Sequence, residues 1–464
     1  MVGFFKLAEK PGLTPRVGAL PIGSMKRRRN LISRRCFIRT ATATAAATGL
    51  PLWFIERELD EAQAAEEPRS ANDKPGIALI GCGGQGRGDA ANAQRFGQVV
   101  CVCDVDEAHI EQAVKQFTTK DGKRPDRVSD FRRVMDRRDV DVIINGTPDH
   151  WHTLINLAAC KAKKDIYTEK PLTLTIDEGK RLVKAVRENG VVLQVGSQQR
   201  SDRNFRLACE LVRNGRIGKL QHIIVGLPTG PREGPFPPKP VPEGLNWDFY
   251  VGQAPFMEYN GRNCHWDFRW WYCFSGGQMT DWGAHHNDIA QWGNGTELSG
   301  PVEIEGRALV DMIPGGFTAA AEYEVRCKYA NGVTMTITDG VRAPNGVKFI
   351  GTEGWVFVTR GRLDAHPKAL LEEPLPSDAI RLYRSDDHMG NFFQCVRSRN
   401  DPICPVEIGH RSITVAHLGV IAVRTGLKLY WDPAKEIFVG DTAAEANLWL
   451  ERDMRKPYTY AMIA

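Results

Sequence analysis

Two side chains that can exchange a proton, Asp281 and His285, are four residues apart in the sequence. On an α-helix this spacing places both on one face, where the carboxylate can orient the imidazole and raise its basicity. A neutral His285 could then take the proton of a hydroxyl group. Each residue also has a structural interpretation, with Asp281 as a helix N-cap and His285 as a buried, hydrogen-bonded histidine. Taken singly, the structural interpretations are favoured.

A glycine-rich segment earlier in the chain suits the binding of a pyrophosphate. It consists of Gly81-Cys82-Gly83-Gly84-Gln85-Gly86, between a predicted strand and a predicted helix, so helix amides can approach a phosphate with no Cβ atom in the way. Asp104 ends the second predicted strand, where an acid would bind ribose hydroxyls and repel a 2′-phosphate. The segment therefore predicts NAD, with NADP disfavoured. The alternative is a glycine turn beside a surface aspartate.

The elements that must position these residues alternate between strands and helices. Apolar runs predict strands at 77–80, 99–103, 140–144, 165–168 and 191–195. Helical patterns lie between them, at 85–96, 107–117, 152–160 and 176–189. This alternation is typical of a parallel sheet covered on both faces. The expected fold class is α/β, with an N-terminal Rossmann doubly wound domain over residues 76–196.

The second half, residues 197–464, predicts an α+β domain with a mainly antiparallel, open-faced sheet. A helix at 203–214 and a strand at 220–225 precede a segment rich in proline and glycine, 226–244. Two hairpins are predicted, one pairing 323–329 with 333–338 and the other pairing 347–350 with 355–358. Helices at about 388–399 and 413–425 are expected to cover one face of this sheet.

Two further motifs follow predicted strands, at the edge where open α/β sheets bind ligands. They are Thr147-Pro148-Asp149-His150-Trp151-His152 and Glu169-Lys170-Pro171. In this order after the glycine segment, they resemble the Gfo/Idh/MocA family, the relatives of glucose-fructose oxidoreductase and inositol dehydrogenase. The family pattern is a glycine loop, a T-P-x-x-x-H turn and E-K-P. The resemblance covers almost all of the chain after its basic leader, through Gln194-Val195-Gly196, Arg200 and Gly215-Arg216-Ile217-Gly218 to Gly276-Gly277-Gln278-Met279-Thr280-Asp281-Trp282-Gly283-Ala284-His285.

The resemblance implies that Lys170 lies near the nicotinamide and that Asp281 and His285 complete the catalytic site. Lys170 would hold the substrate oxygen and stabilise negative charge while His285 takes the proton. Cofactor contacts are expected from Gly81, Gly83, Gly84, Gln85, Gly86, Asp104, Thr147, Pro148, His152, Glu169 and Lys170. The resemblance also implies a homo-oligomer joined through the open face of the second sheet.

The aromatic stretch from His265 to Tyr272 has a composition suited to a carbohydrate. Flat rings with polar groups stack on the C–H face of a sugar. Substrate contacts are expected from Arg200, His265, Trp271 and His286. An equally weighted interpretation places the aromatic rings in the core beside the second sheet, and His286 could also be a solvated histidine.

A basic leader predicts export. Lys26-Arg27-Arg28-Arg29 and Ser33-Arg34-Arg35-Cys36-Phe37 precede a run of small and apolar residues, and Ala62-Gln63-Ala64 offers a cleavage site. The pattern resembles a bacterial twin-arginine signal. Residues 1–64 are therefore expected to engage the twin-arginine export machinery and direct the protein to the periplasm, with residues 65–75 as a linker. Met25 is a possible true start, and an uncleaved basic tail or anchor is the alternative.

Composition excludes several classes of protein. Of the 464 residues, 42% are hydrophobic and 25% are charged, which is typical of a globular protein. The length of the chain predicts two domains. The excess of Lys and Arg, 61 against 56 acidic residues, lies in the leader, so no nucleic-acid partner is expected. No stretch has the length of a transmembrane helix. Eleven cysteines without a C-x-x-C pair favour buried thiols over a disulfide scaffold or a zinc site, and no metal is expected.

Three functions remain open at this point. The first is an exported NAD-dependent oxidoreductase that acts on a hydroxyl group of a sugar, polyol or glycoside. The second is a redox-neutral enzyme, an epimerase or glycoside-cleaving enzyme, that keeps its NAD tightly bound because free NAD is scarce outside the cytoplasm. The third is a sugar-binding protein that retains the fold without turnover.

Overall fold

The computed structural model describes residues 74–462. The predicted signal, residues 1–64, and most of the predicted linker lie outside the described residues. Within the described range every cysteine is a free thiol and all but Cys273 are buried. No helix between residues 74 and 462 combines the length and the apolar character needed to cross a membrane.

Six parallel strands form the first sheet. They are β1 Gly76–Ile80, β2 Gln98–Cys103, β3 Asp126–Val128, β4 Val142–Asn145, β5 Asp165–Thr168 and β6 Leu193–Val195. Their order, β3-β2-β1-β4-β5-β6, is that of a Rossmann domain and confirms the predicted fold class. The chain reverses its direction of winding between β1 and β4, so a crevice opens there at the carboxyl ends of the strands.

Five helices connect these strands: α1 Gly84–Ala93, α2 Glu107–Phe117, α3 Phe131–Met135, α4 Asp149–Lys161 and α5 Ile176–Asn189. Local signals set their ends. The side chain of Asp106 accepts the N–H of Ala108 at the start of α2. Helix α5 begins with a capping box formed by Thr175 and Glu178, and ends at Gly190 in the left-handed conformation.

The second sheet has nine strands in the order β13-β12-β11-β7-β10-β9-β8-β14-β15. All its neighbouring strands are antiparallel except β7 and β10, as expected of a mainly antiparallel sheet. Both predicted hairpins form. The strands are β7 Leu220–Gly226, β8 Pro301–Ala308, β9 Tyr323–Tyr329, β10 Thr334–Thr338, β11 Gly346–Gly351, β12 Trp355–Thr359, β13 Arg362–His366, β14 Leu429–Asp432 and β15 Ile437–Val439.

The helices of the second half are α6 Arg203–Arg213, α7 Trp247–Val251, α8 Gln278–Asp281, α9 Gly283–Asn294, α10 His388–Ser398, α11 Val406–Thr425 and α12 Ala443–Ala446. Helix α11 packs on the second sheet, as predicted, but begins seven residues earlier than expected. The prediction for α10 is wrong. Its Phe392 and Phe393 pack with Ile77 and Val142 of the first sheet, so this helix covers the Rossmann domain.

A second correction concerns α4. The helix begins at Asp149, three residues before the predicted start, so the segment from Asp149 to His152 is its first turn. Pro148 precedes it with a φ of −61° and supplies the fixed backbone that favours the start of a helix. The helical backbone therefore fixes the directions in which the side chains of this motif project.

Candidate active site

A cavity of about 1210 Å³ lies where the carboxyl ends of β1, β4 and β5 face the second half of the chain. Both halves line it. The first half contributes Gly83, Asp104, Thr147 and Lys170, and the second half contributes Tyr250, His265, Asp281 and His285. The cavity thus joins the glycine segment to all three predicted catalytic residues.

The glycine segment forms the turn between β1 and α1. Gly81 has a φ of +85°, and a Cβ atom on Gly86 would lie 2.1 Å from the carbonyl oxygen of Gly81, so larger residues do not fit at either position. Gly86 itself does not line the cavity. A Cβ atom on Gly83 or Gly84 would meet nothing within 4 Å, which leaves the N-terminus of α1 open to an anion.

Asp104 follows β2 and anchors this turn. Its carboxylate accepts the N–H of Cys82 at 2.6 Å and that of Asp106 at 3.0 Å. The hydrogen bond from His109 to Asp104 raises the pKa of the histidine. Asp104 lines the cavity beside the glycine turn, where a ribose would lie next to a pyrophosphate.

Thr147 and Pro148 line the cavity, whereas His152 does not. The Nε2 atom of His152 lies 2.8 Å from the carbonyl oxygen of Thr147, and its Nδ1 atom lies 2.7 Å from that of Pro171. This buried ring joins the loop after β4 to the loop after β5. His152 therefore holds these two loops of the cavity wall together.

Glu169 forms a buried carboxyl pair with Asp89, a residue that the sequence did not single out. The amide of Gln85 donates to Asp89 at 3.1 Å and to Glu169 at 3.3 Å. Burial raises the pKa of both carboxyl groups, and the nearby Glu169 raises that of Asp89 further. Only the position of Asp89 one turn beyond Gln85 in α1 could have indicated this pair.

Lys170 forms an ion pair with Oδ1 of Asp281, and Arg269 Nε lies 3.5 Å from Oδ2. Burial opposes the charged form of Lys170, yet Asp281 and Glu169 raise its pKa above the usual value. Burial likewise opposes ionisation of Asp281, but the charges of Lys170 and Arg269 lower its pKa. Both groups are therefore charged at neutral pH.

His285 is not paired with Asp281, contrary to the sequence-based interpretation. Asp281 ends α8 and His285 lies in the first turn of α9, but the carboxylate of Asp281 contacts Lys170 and Arg269. Burial, with the positive charges of Lys170 and Arg360, holds the pKa of His285 well below its usual value. Its Nδ1 atom is buried without a hydrogen-bond partner. The imidazole is thus neutral, and its basicity is lowered instead of raised.

Asp149, the first residue of α4, is a further titratable group in the cavity. The hydroxyl of Ser275 donates to its carboxyl group at 2.5 Å. Burial raises the pKa of Asp149 to about 7. Asp149 belongs to the Thr-Pro motif, but the sequence did not indicate a role for it because the family pattern allows any residue at that position.

Three of the four predicted substrate residues lie outside the cavity lining. Arg200 donates to Asp288 at 2.6 and 2.8 Å in a buried ion pair. The indole N–H of Trp271 donates to the carbonyl oxygen of Arg262. His286 Nε2 lies 2.8 Å from Oδ1 of Asn345. Only His265 faces the cavity, together with Arg269 and Arg360, of which Arg360 had no signal in the sequence.

The aromatic stretch divides between two environments. Trp270 and Trp271 pack with Phe317 in a core of the second half. Trp266 and Phe268 line the cavity, and the Trp266 ring is stacked by the guanidinium of Arg269. This stretch therefore supplies both core and cavity wall.

The described residues fit a dinucleotide. An open helix N-terminus can take a pyrophosphate, Asp104 can accept hydrogen bonds from ribose hydroxyls, and the cavity extends from there to Lys170 and His285. A pyrophosphate at Gly83 and Gly84 would meet no side chain of its own turn.

Comparisons with known proteins agree with this fit. The model for the Gfo/Idh/MocA "oxidoreductase family, NAD-binding Rossmann fold" matches residues 76–197, and that for the family's "C-terminal alpha/beta domain" matches residues 232–460. The scyllo-inositol 2-dehydrogenase (NAD(+)) of Bacillus subtilis is 24% identical over 316 residues, which are 66% of this chain and 80% of the relative. A glycosyl hydrolase family 109 protein of Shewanella pealeana is 23% identical over 208 residues, 41% of this chain and 45% of the relative.

Among solved structures, the WlbA dehydrogenase of Bordetella pertussis, in complex with NADH and UDP-GlcNAcA, shares the fold. Its TM-score is 0.58 at 18% identity, and the match covers 77% of this chain and 99% of that one. The two family models together span most of the described residues and both halves of the cavity. The chain belongs to the Gfo/Idh/MocA oxidoreductase family, and its first domain is the family's NAD-binding Rossmann domain.

Proposed function

We propose that the protein is an NAD-dependent oxidoreductase that acts on a hydroxyl group of a sugar, polyol or glycoside. One observation carries the proposal: Lys170, Asp281 and His285 line the same cavity as the glycine turn and Asp104. The similarity to an inositol dehydrogenase supports a polyhydroxylated substrate. When bound, NAD supplies the acceptor for a hydride.

Lys170 and His285 have different protonation states and therefore different proposed roles. The raised pKa of Lys170 keeps it charged, so it donates a hydrogen bond to the substrate oxygen and stabilises negative charge there. The lowered pKa of His285 keeps it neutral and able to accept the hydroxyl proton. Asp281 holds the ammonium group in place, and Arg269 contacts the other carboxylate oxygen of Asp281.

A redox-neutral reaction is the second candidate, and Asp149 favours it. Removal of a proton from the carbon beside an oxidised centre requires a second base, and a cavity carboxyl group with a pKa of about 7 suits that task. The similarity to a glycosyl hydrolase family 109 protein points the same way. Tightly bound NAD would be reduced and reoxidised within one turnover.

One preparation tests these candidates. The purified protein is denatured and the supernatant is assayed for nicotinamide dinucleotide. If none is released and none binds when added, both enzymatic proposals fail. If it binds, added inositols, hexoses and glycosides are screened while the nicotinamide absorbance is followed. Lasting NADH formation supports net oxidation, whereas product formation without lasting NADH supports the redox-neutral reaction. Binding of a sugar with neither change would indicate a non-catalytic binding protein.

Export and assembly are further parts of the proposal. The basic leader supports twin-arginine export, which is tested by fusing residues 1–64 to a reporter and replacing Arg34 and Arg35 with lysine. Retention of the reporter in the cytoplasm by the unmodified leader would contradict it. Homo-oligomerisation through the second sheet is tested by light scattering of the purified protein, and a monomer across the concentration range would contradict it.

A further inference from the structure

We propose that a segment of the second half closes the adenosine end of the dinucleotide site, with His265 as the residue that retains the cofactor. We name residues 244–246 together with His265 the clasp. The inference rests on the proposed function only in requiring a dinucleotide in the cavity. It adds residues that retain the cofactor, none of which belongs to the nucleotide-binding motif.

Backbone pairing attaches the clasp to the Rossmann domain. The N–H of Asn246 donates to the carbonyl oxygen of Val105 at 2.9 Å, and the N–H of Glu107 donates to that of Gly244 at 3.1 Å. Leu245 and Asp106 form an antiparallel bridge between these bonds. Since residues 105–107 directly follow Asp104, the second half is joined to the loop that borders the ribose position.

His265 adds a side-chain contact across the same boundary. Its Nε2 atom lies 3.3 Å from Oδ2 of Asp106, and its ring centroid lies 4.6 Å from that of His109. The other oxygen of Asp106 caps α2. His265 has a φ of +49°, a conformation that non-glycine residues keep only where the surroundings hold them. The imidazole is thus directed towards two residues of the Rossmann domain.

The contacts lie on the cavity wall. Val105, Asp106 and His109 from the first half line the cavity together with Tyr250 and His265 from the second. Departure of the adenosine through this side requires separation of the backbone bonds and of the contact between His265 and Asp106. Dissociation of the dinucleotide should therefore be slow, as a prosthetic role requires.

The test measures how fast bound NADH leaves. Protein loaded with NADH is mixed with excess NAD⁺, and the loss of energy transfer from tryptophan to NADH is followed. The test variant is His265→Asn, because asparagine tolerates the left-handed backbone but is too short to contact Asp106. Release should be about tenfold faster, as expected for the loss of one contact to a charged group. The control, His222→Asn on β7 outside the cavity lining, should release NADH like the unmodified protein.

Two fragments of the cofactor locate the effect. ADP-ribose should bind the His265→Asn variant about tenfold more weakly, whereas binding of nicotinamide mononucleotide should not change. Asp106→Asn serves as a second variant, because its amide oxygen can still cap α2 while the charge facing His265 is lost. Unchanged NADH release in both variants would overturn the clasp and leave the proposed function standing. Failure of the unmodified protein to bind either NADH or ADP-ribose would overturn both.

Discussion

Lys170 and Asp281 form a buried ion pair in the cavity although 111 residues separate them in the sequence. One comes from the loop after β5 of the Rossmann sheet and the other from the end of α8. Against the effect of burial, Asp281 raises the pKa of Lys170; burial, together with the charge of Lys170, lowers the pKa of His285.

Asp281→Asn should therefore lower both activity and stability. Loss of the carboxylate leaves a buried ammonium without its counter-charge, at a cost of about 3 kcal/mol in the free energy of unfolding, and kcat should fall about a hundredfold as the lysine loses its position. Urea unfolding and steady-state kinetics measure the two effects. Glu303→Gln, which breaks a surface pair with Lys328, is the control and should cost less than about 1 kcal/mol. Unchanged kcat in the Asp281 variant would exclude a role in positioning Lys170.

His285→Ala should depress turnover about a thousandfold while leaving NADH affinity nearly unchanged, because the imidazole acts on the substrate and not on the cofactor. Kinetics and fluorescence titration of NADH measure the two quantities. An equal loss of turnover and of NADH affinity would instead assign His285 a structural role.

The pH profile provides an independent check on His285. A base accepts a proton only in its neutral form, and the pKa of this imidazole lies well below the usual 6.5. The titration of His285 should therefore leave no inflection in kcat/KM at or above about pH 6.5 and should produce a decline only in more acidic solution. An acid limb centred at or above pH 6.5 that disappears in His285→Ala would contradict the lowered pKa.

Asp149 should contribute to stability at acidic pH and lose this contribution as the pH rises, the opposite of most carboxyl groups in proteins. Its pKa is raised from 3.8 to about 7, so the folded state holds a proton that the unfolded state has lost between these values. The contribution of this group is fully present below about pH 4, is lost as pH rises to about 7, and is then constant. Asp149→Asn removes this titration. The stability of the variant relative to the unmodified protein should thus increase by a few kcal/mol between pH 4 and pH 8, measured by urea unfolding. A difference that does not vary with pH would contradict the raised pKa.

Arg200→Met should unfold the protein more easily without changing how it recognises its substrate. The substitution leaves Asp288 buried without its guanidinium partner, at a cost of about 3 to 5 kcal/mol. At a temperature where the variant remains folded, KM for the substrate should be unchanged. A large rise in KM with little loss of stability would restore Arg200 as a substrate contact.

Asp104→Ser should shift the cofactor preference. Without the carboxylate, hydrogen bonding to the ribose weakens and repulsion of a 2′-phosphate disappears. The ratio of the Kd for NADPH to the Kd for NADH should fall about tenfold or more, as measured by fluorescence titration. An equal loss of affinity for NADH and NADPH would show that Asp104 acts only by holding the N–H of Cys82.

Local patterns in the sequence determined the architecture of the first domain. Helices 107–117 and 176–189 and the strand 165–168 have the bounds predicted for them, because apolar periodicity, caps and a terminal glycine act within a few residues. The glycine turn is likewise determined by the local sequence. A left-handed φ at Gly81 and the crowding at Gly86 are local requirements that only glycine meets.

Only the tertiary structure decided which side chains meet. The four-residue spacing of Asp281 and His285 suggested a pair, but Asp281 instead pairs with Lys170 from the first half of the chain. Arg200 was predicted to contact the substrate, yet it forms an ion pair with Asp288 in the protein interior. The amphipathic pattern of α10 predicts a buried face without identifying the sheet that buries it. These outcomes depend on contacts between residues distant in sequence, where burial and competition among charges select the partner.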